Sequence, residues 1–205
     1  GGFRPTNSNT ENWIGQVYLY RENEDIPIDD NGKAMLPLLQ ICLEGLPYIP
    51  DALKGSKVLT IFVSENMPGR LAYNGDAWVI REYKEEDVLV VKDIYMQSSS
   101  RIKPYPLKSQ LITEDYPVWD SGDIPMDIED ELVEMEDSGE ITDYYDYTDC
   151  FAGHKIGGYP NYIQSGIDFG DGYEFMIQIA SDEKANLNII DSGNFYLAKN
   201  SQTGD

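Results

Sequence analysis

The chain is short of the residues that build catalytic and metal centres. It has a single histidine, His154, and 2 cysteines, Cys42 and Cys150, among 205 residues. Common zinc sites need several Cys or His ligands at short spacing, and a disulfide scaffold needs several closely placed cysteines. Neither set is present, and two thiols 108 positions apart read as reduced, mostly buried cysteines of a cytoplasmic protein. A Ser-His-Asp relay depends on His154, and no nucleophile-elbow pattern accompanies it. His154 is expected instead to be a turn residue bonding to backbone. Gly153-x-x-x-Gly157-Gly158 lacks the Gly-Lys-Ser/Thr ending of a phosphate loop. Residues 168–172 (DFGDG) lack the ligand spacing of an EF-hand and read as a turn. No apolar run approaches the ~20 residues that cross a bilayer. No secretory leader opens the sequence, and Gly1-Gly2 reads as a truncation point. The expectation is a protein that is not an enzyme and carries no cofactor, no metal and no catalytic residue.

Positive charge is also scarce. There are 37 acidic residues against 15 basic ones, a formal charge of -22. Such a chain repels phosphate backbones, which disfavours direct nucleic-acid binding. The imbalance is local: residues 113–149 hold fifteen Asp or Glu and no Lys or Arg, so two thirds of the net charge lies in 37 residues. Within this stretch, 126–137 (MDIEDELVEMED) places Ile128, Leu132 and Met135 on one face of a helix and most carboxylates on the other. Pro125 suits its start and Gly139 its end. Asp143-Tyr144-Tyr145-Asp146-Tyr147 follows, alternating carboxylates with rings in a charged loop. The plain reading is a solvated helix and loop. The sharper one is a docking surface for a basic partner.

What the chain does contain is strand-forming sequence. Apolar residues make up 41% and aromatics 12%, enough for a packed core. Strands are expected at 13–20, 35–43, 57–64, 77–83, 88–91, 174–179 and 194–198, with 77–83 and 88–91 pairing across the 84–87 turn. Residues 98–125 carry four prolines and read as a long surface connection, and residues 1–12 as a frayed, flexible terminus. Many strands and one helix point to an α+β fold, mostly antiparallel.

A weak internal repeat is visible. Ile14-Gly15-Gln16 resembles Ile156-Gly157-Gly158, and each precedes a strand with an apolar-apolar-Gln-Ile tetrad, Leu38–Ile41 and Met176–Ile179. Duplication would give two lobes within one domain at 13–199, with pseudo-repeats near 13–97 and 150–199 and an acidic helical insert near 113–149.

The most distinctive motif is 153–164, with adjacent Gly157 and Gly158, then Tyr159, Pro160 and Gln164. The sequences HKIGGYPNYIQ (154–164), FMIQIASD (175–182) and NLNIIDSGNF (186–195), with LLQICLEGL (38–46), resemble the YwqG-like family, a bacterial domain of unknown function. Ile189-Ile190-Asp191 stands where that family has Trp-Gly-Asp, and Gly15-Gln16-Val17-Tyr18 where it has Gly-Gly-x-Pro. The resemblance implies an internally duplicated α+β fold. Through the family's association with toxin systems, it also implies an immunity role.

Two sites are therefore expected. One binds a basic protein, such as a toxin domain, through Asp143, Tyr144, Tyr145, Asp146 and Tyr147. The alternative is a small-molecule or peptide crevice at Gly157, Gly158, Tyr159 and Gln164.

Overall fold

The computed structural model describes residues 6, 8–69, 72–94, 101–164, 166–200 and 202–204. Part of the expected flexible terminus (1–5 and 7), and residues 95–97 of the first pseudo-repeat, lie outside them. The chain forms two compact units: Gly1–Leu111 with Asp182–Asn188, and Ile112–Ser181 with Ile189–Asp205. Among the described residues the architecture is mostly antiparallel β-sheet with one α-helix.

In the first unit a five-stranded sheet has the order β5-β4-β3-β1-β7, from β1 (Asn12–Ile14), β3 (Leu36–Cys42), β4 (Ser56–Val63), β5 (Trp78–Lys84) and β7 (Tyr105–Leu107). A leucine-rich run makes β3 and a run rich in β-branched residues makes β4, and nearly every residue of both is buried. Pro37 sits in β3 because the β3–β4 register shifts between Pro37 and Leu39, so no ladder bond needs its missing N–H. A separate ribbon pairs β2 (Leu19–Arg21) with β6 (Leu89–Val91). Tyr20 packs with Val17, Ile26, Met35 and Phe62, while Leu19 packs with Val58 and Tyr83.

Four sequence expectations change here. The 13–20 run is two strands, β1 and β2, because Gly15 (φ 74°) breaks it. A Cβ at Gly15 would lie 2.6 Å from the Lys103 carbonyl oxygen. The strand at 88–91 pairs with β2 and not with 77–83, which instead joins β4. The 98–125 connection contains β7, which pairs with β1. Residues 8–12, expected to fray, are tied in: Glu11 accepts the Thr6 and Ser8 N–H groups at 2.8 and 3.2 Å, and Trp13 Nε1 donates to Ser8 O at 3.1 Å.

In the second unit a three-stranded sheet has the order β10-β9-β8, from β8 (Lys155–Ile156), β9 (Tyr173–Ala180) and β10 (Asn194–Asn200). The helix α1 spans Met126–Ser138, with Pro125 before it and Gly139 after it in the left-handed conformation (φ 77°). None of its residues is fully buried. Leu132 and Met135 are half-covered, and Ile128 is exposed.

The two units share one bonding pattern. In β3, Gln40 has no exposed surface; its Oε1 accepts the Tyr18 and Leu19 N–H groups, and its Nε2 donates to Asn9 O and Glu11 O. In β9, Gln178 is equally buried; its Oε1 accepts the Asn161 N–H at 2.7 Å, and its Nε2 donates to Ala152 O and Gly153 O. Gly15 N–H bonds Leu38 O, two residues before Gln40, and Gly157 N–H bonds Met176 O, two residues before Gln178. Asn12 Oδ1 accepts the Cys42 N–H at 2.7 Å; His154 Nδ1 accepts the Ala180 N–H at 3.1 Å.

Each carboxamide satisfies backbone groups that no ladder reaches, and removing it strands them away from water. Gln178→Met should lower the unfolding free energy by about 1–3 kcal/mol, since three part-buried backbone groups lose their partner. Urea denaturation checks this; a loss below about 0.5 kcal/mol would mean the clamp is dispensable.

Candidate functional site

The acidic stretch is fastened by few of its own charges. After α1, the Asp143 carboxylate caps a single 3-10 turn, Tyr144–Asp146, by accepting the Tyr145 N–H at 2.8 Å. Glu136 accepts the Tyr144 N–H at 3.0 Å and ties the turn back to the helix. The Tyr144 hydroxyl donates to Pro117 O at 2.9 Å, and its ring lies 5.3 Å from Trp119 and 5.2 Å from Tyr145. Tyr145 Oη accepts the Trp119 N–H at 3.0 Å. Tyr116 N–H donates to Asp149 O at 3.1 Å, so residues 114–119 run beside 144–151.

Among the five residues expected at a partner surface, Tyr144 needs correction. It is 7% exposed and supports the turn from inside. Burial pushes its phenol pKa above the ordinary value. Tyr145 and Tyr147 are 54% and 69% exposed and present their rings to solvent, with Asp143 and Asp146 exposed beside them.

Asp115 organises the neighbouring segment. Its carboxylate pairs with Lys155 Nζ at 3.0 Å, with both side chains nearly buried. It also accepts the Phe151 and Tyr159 N–H groups, each at 2.9 Å. A Cβ on Gly158 would overlap Asp115 Oδ2, and Gly158 has φ 71°. The Gly157-Gly158 pair therefore lets a carboxylate reach the turn, where a side chain would block it. Tyr159 and Gln164 are exposed on the segment that follows. The carboxylate of Asp115 thus fills the space in front of Gly158.

The fold brings Tyr145, Asp146 and Tyr147 together with residues that the motif reading does not single out. A cleft of about 740 Å³ is lined by Glu114, Tyr116 and Val118, by 145–150 and by Asn161. Cys150 lies on its wall. The Tyr116–Asp149 backbone bond helps bring Tyr116 and Glu114 to 145–149, and no local sequence pattern announces that pairing.

Among the described residues no group of His, Cys, Asp and Glu is arranged to hold a metal ion. The two thiols are not primed for chemistry. Burial pushes Cys42 up to about 11, and a weak bond from Gln40 only partly opposes it. Cys150 is raised by burial as well, although Asn161 and the Lys155 ammonium, 3.6 Å from the sulfur, work against this. Both thiols should therefore react with an aromatic disulfide reagent at pH 8 at least tenfold more slowly than a free thiol. The rates should climb with pH beyond 9 as thiolate forms. A rate matching that of glutathione would contradict this.

Comparison with curated proteins finds no match. A family model described as Domain of unknown function (DUF1963) matches residues 14–202, nearly the whole chain. It covers both glutamine clamps, the acidic helix and the tyrosine cleft. The chain belongs to the DUF1963 family.

Proposed function

We propose that this chain is a YwqG-like binding protein of the immunity type, which acts in the cytoplasm by occluding a basic protein domain and performs no chemistry itself. The observation that carries the reading is the unneutralised charge of residues 113–149. Of its fifteen carboxylates, only Asp115, Glu136 and Asp143 bond to another described residue, and only Asp115 meets a cation. The other twelve have no ion-pair or hydrogen-bond partner among the described residues. Salt screens such charges over ~8 Å at physiological ionic strength, so their field reaches an approaching surface but not far beyond it. A field of this sign raises association rates with a cationic partner by ~10–10³-fold at low salt.

Tyr145 and Tyr147 are the anchors in this reading, and Asp143, Asp146 and the outer face of α1 steer. Tyrosine gives a large contact area at low entropic cost, which suits it to the centre of an interface. The shared Gln40 and Gln178 clamps support the further inference that the two units descend from one duplicated element, with the acidic segment inserted between the copies.

A toxin domain that acts on nucleic acid has the required surface, because it must itself attract phosphate. Co-expression with the product of the adjacent gene, followed by capture of this chain, tests the proposal. A retained basic protein is expected, with affinity falling steeply as salt rises. If capture at low salt retains no such protein, the reading fails.

A further inference from the structure

The helix and the cleft of the second unit differ in what they offer. The exposed face of α1 is convex and carries only carboxylates around a few apolar side chains. The cleft is concave, and three tyrosines line it together with three carboxylates that have no partner among the described residues: Tyr116, Tyr145, Tyr147, Glu114, Asp146 and Asp149. The helix attracts any cation. The cleft has the composition to choose among them.

We propose that this cleft is a receptor for arginine, in which a guanidinium on a loop or chain end of the basic partner enters between the tyrosine rings. The proposal rests on the reading of a basic protein partner given above and names the chemistry that the partner presents. Four features carry it. The sign of the walls excludes phosphates and carboxylates as occupants. Tyrosine faces attract a cation through the ring quadrupole. A guanidinium is planar and weakly hydrated, so it loses less on leaving water than an ammonium does; it stacks flat on a ring while its fork of donors meets carboxylates at its edge. The volume of about 740 Å³ exceeds one side chain, so flanking residues of the partner enter with the arginine. Tyr145 is held for this role, since its hydroxyl is bonded to the Trp119 N–H and its ring rests on Tyr144. Tyr147, at the rim, is the most exposed of the three tyrosines.

Fluorescence anisotropy with two labelled peptides of equal length and charge, one alternating Gly-Arg and one alternating Gly-Lys, tests the proposal on the intact chain. At low ionic strength the arginine peptide should bind about five- to tenfold more tightly. Tyr116→Leu with Tyr147→Leu should abolish that preference and leave weak, equal, salt-sensitive binding of both peptides. Asp130→Asn with Glu131→Gln and Glu134→Gln on α1 should weaken both peptides alike and keep the preference. Far-ultraviolet circular dichroism confirms that each variant is folded, and Tyr147→Leu alone, at an exposed position, serves if the double variant is not. Equal binding of the two peptides by the unaltered chain, or a preference that survives loss of the tyrosines, overturns the cleft proposal and leaves the wider one standing. If neither peptide binds, both fall.

Discussion

A buried carboxamide in the middle of a strand is the constraint on which each unit is built. Gln40 and Gln178 sit where the flanking residues are apolar, and neither has any exposed surface. An irregular segment laid against a sheet brings N–H and C=O groups that no ladder satisfies, and leaving them unpaired away from water is costly. A glutamine answers both kinds of group at once, because one end of its amide accepts and the other donates. That fixes the path of residues 9–19 in the first unit and of 152–161 in the second. The path in turn places Asn161 on the lining of the cleft and the Gly157-Gly158 turn against Asp115.

The acidic segment follows the opposite logic. In the first unit carboxylates meet cations: Glu24 and Asp87 flank Arg21, and Glu82 pairs with Lys84. In residues 113–149 the ordering contacts are almost all neutral. Tyr144 packs against Trp119 and bonds Pro117, and the helix end is closed by Gly139 and Glu140 N–H groups bonded to Glu136 and Met135 carbonyls. The exceptions are Asp115, Glu136 and Asp143, each bonded to specific donors. Mutual repulsion among the remaining carboxylates opposes folding.

Much of the β-structure was legible because it is written in local pattern. The long strands β3, β4, β9 and β10 are apolar or aromatic runs bounded by turn residues, and α1 has both its periodicity and its stop signal in the sequence. Pairing was not legible in the same way. The Lys84–Asp87 turn looks like a hairpin between β5 and β6, yet β6 finds β2, some seventy residues away, because Leu19 and Leu89 both cover Val58 and Tyr83. Asn12 and His154 make the same bond from different side chains, so the correspondence appears only in space. At the candidate site, the rings of 143–147 were visible, but the inward turn of Tyr144 depends on Trp119 and Pro117, which are 25 or more positions upstream. The Asp115–Lys155 pair is one carboxylate of fifteen finding the next lysine in the sequence, 40 positions on. Such distant pairings leave no trace in spacing.

The central claim is that the carboxylates of the acidic segment other than Asp115, Glu136 and Asp143 are free of any part in holding the protein together. It is tested most directly by thermal unfolding of a variant with Asp130→Asn, Glu131→Gln, Glu134→Gln and Asp137→Asn, which leaves Asp115, Glu136 and Asp143 intact. The account predicts a Tm equal to or above that of the unaltered chain, with a weaker dependence on salt, because repulsion is removed and two negative charges leave the C-terminal half of the helix. A Tm lowered by several degrees would show that these side chains are needed by the fold itself, and would contradict the account.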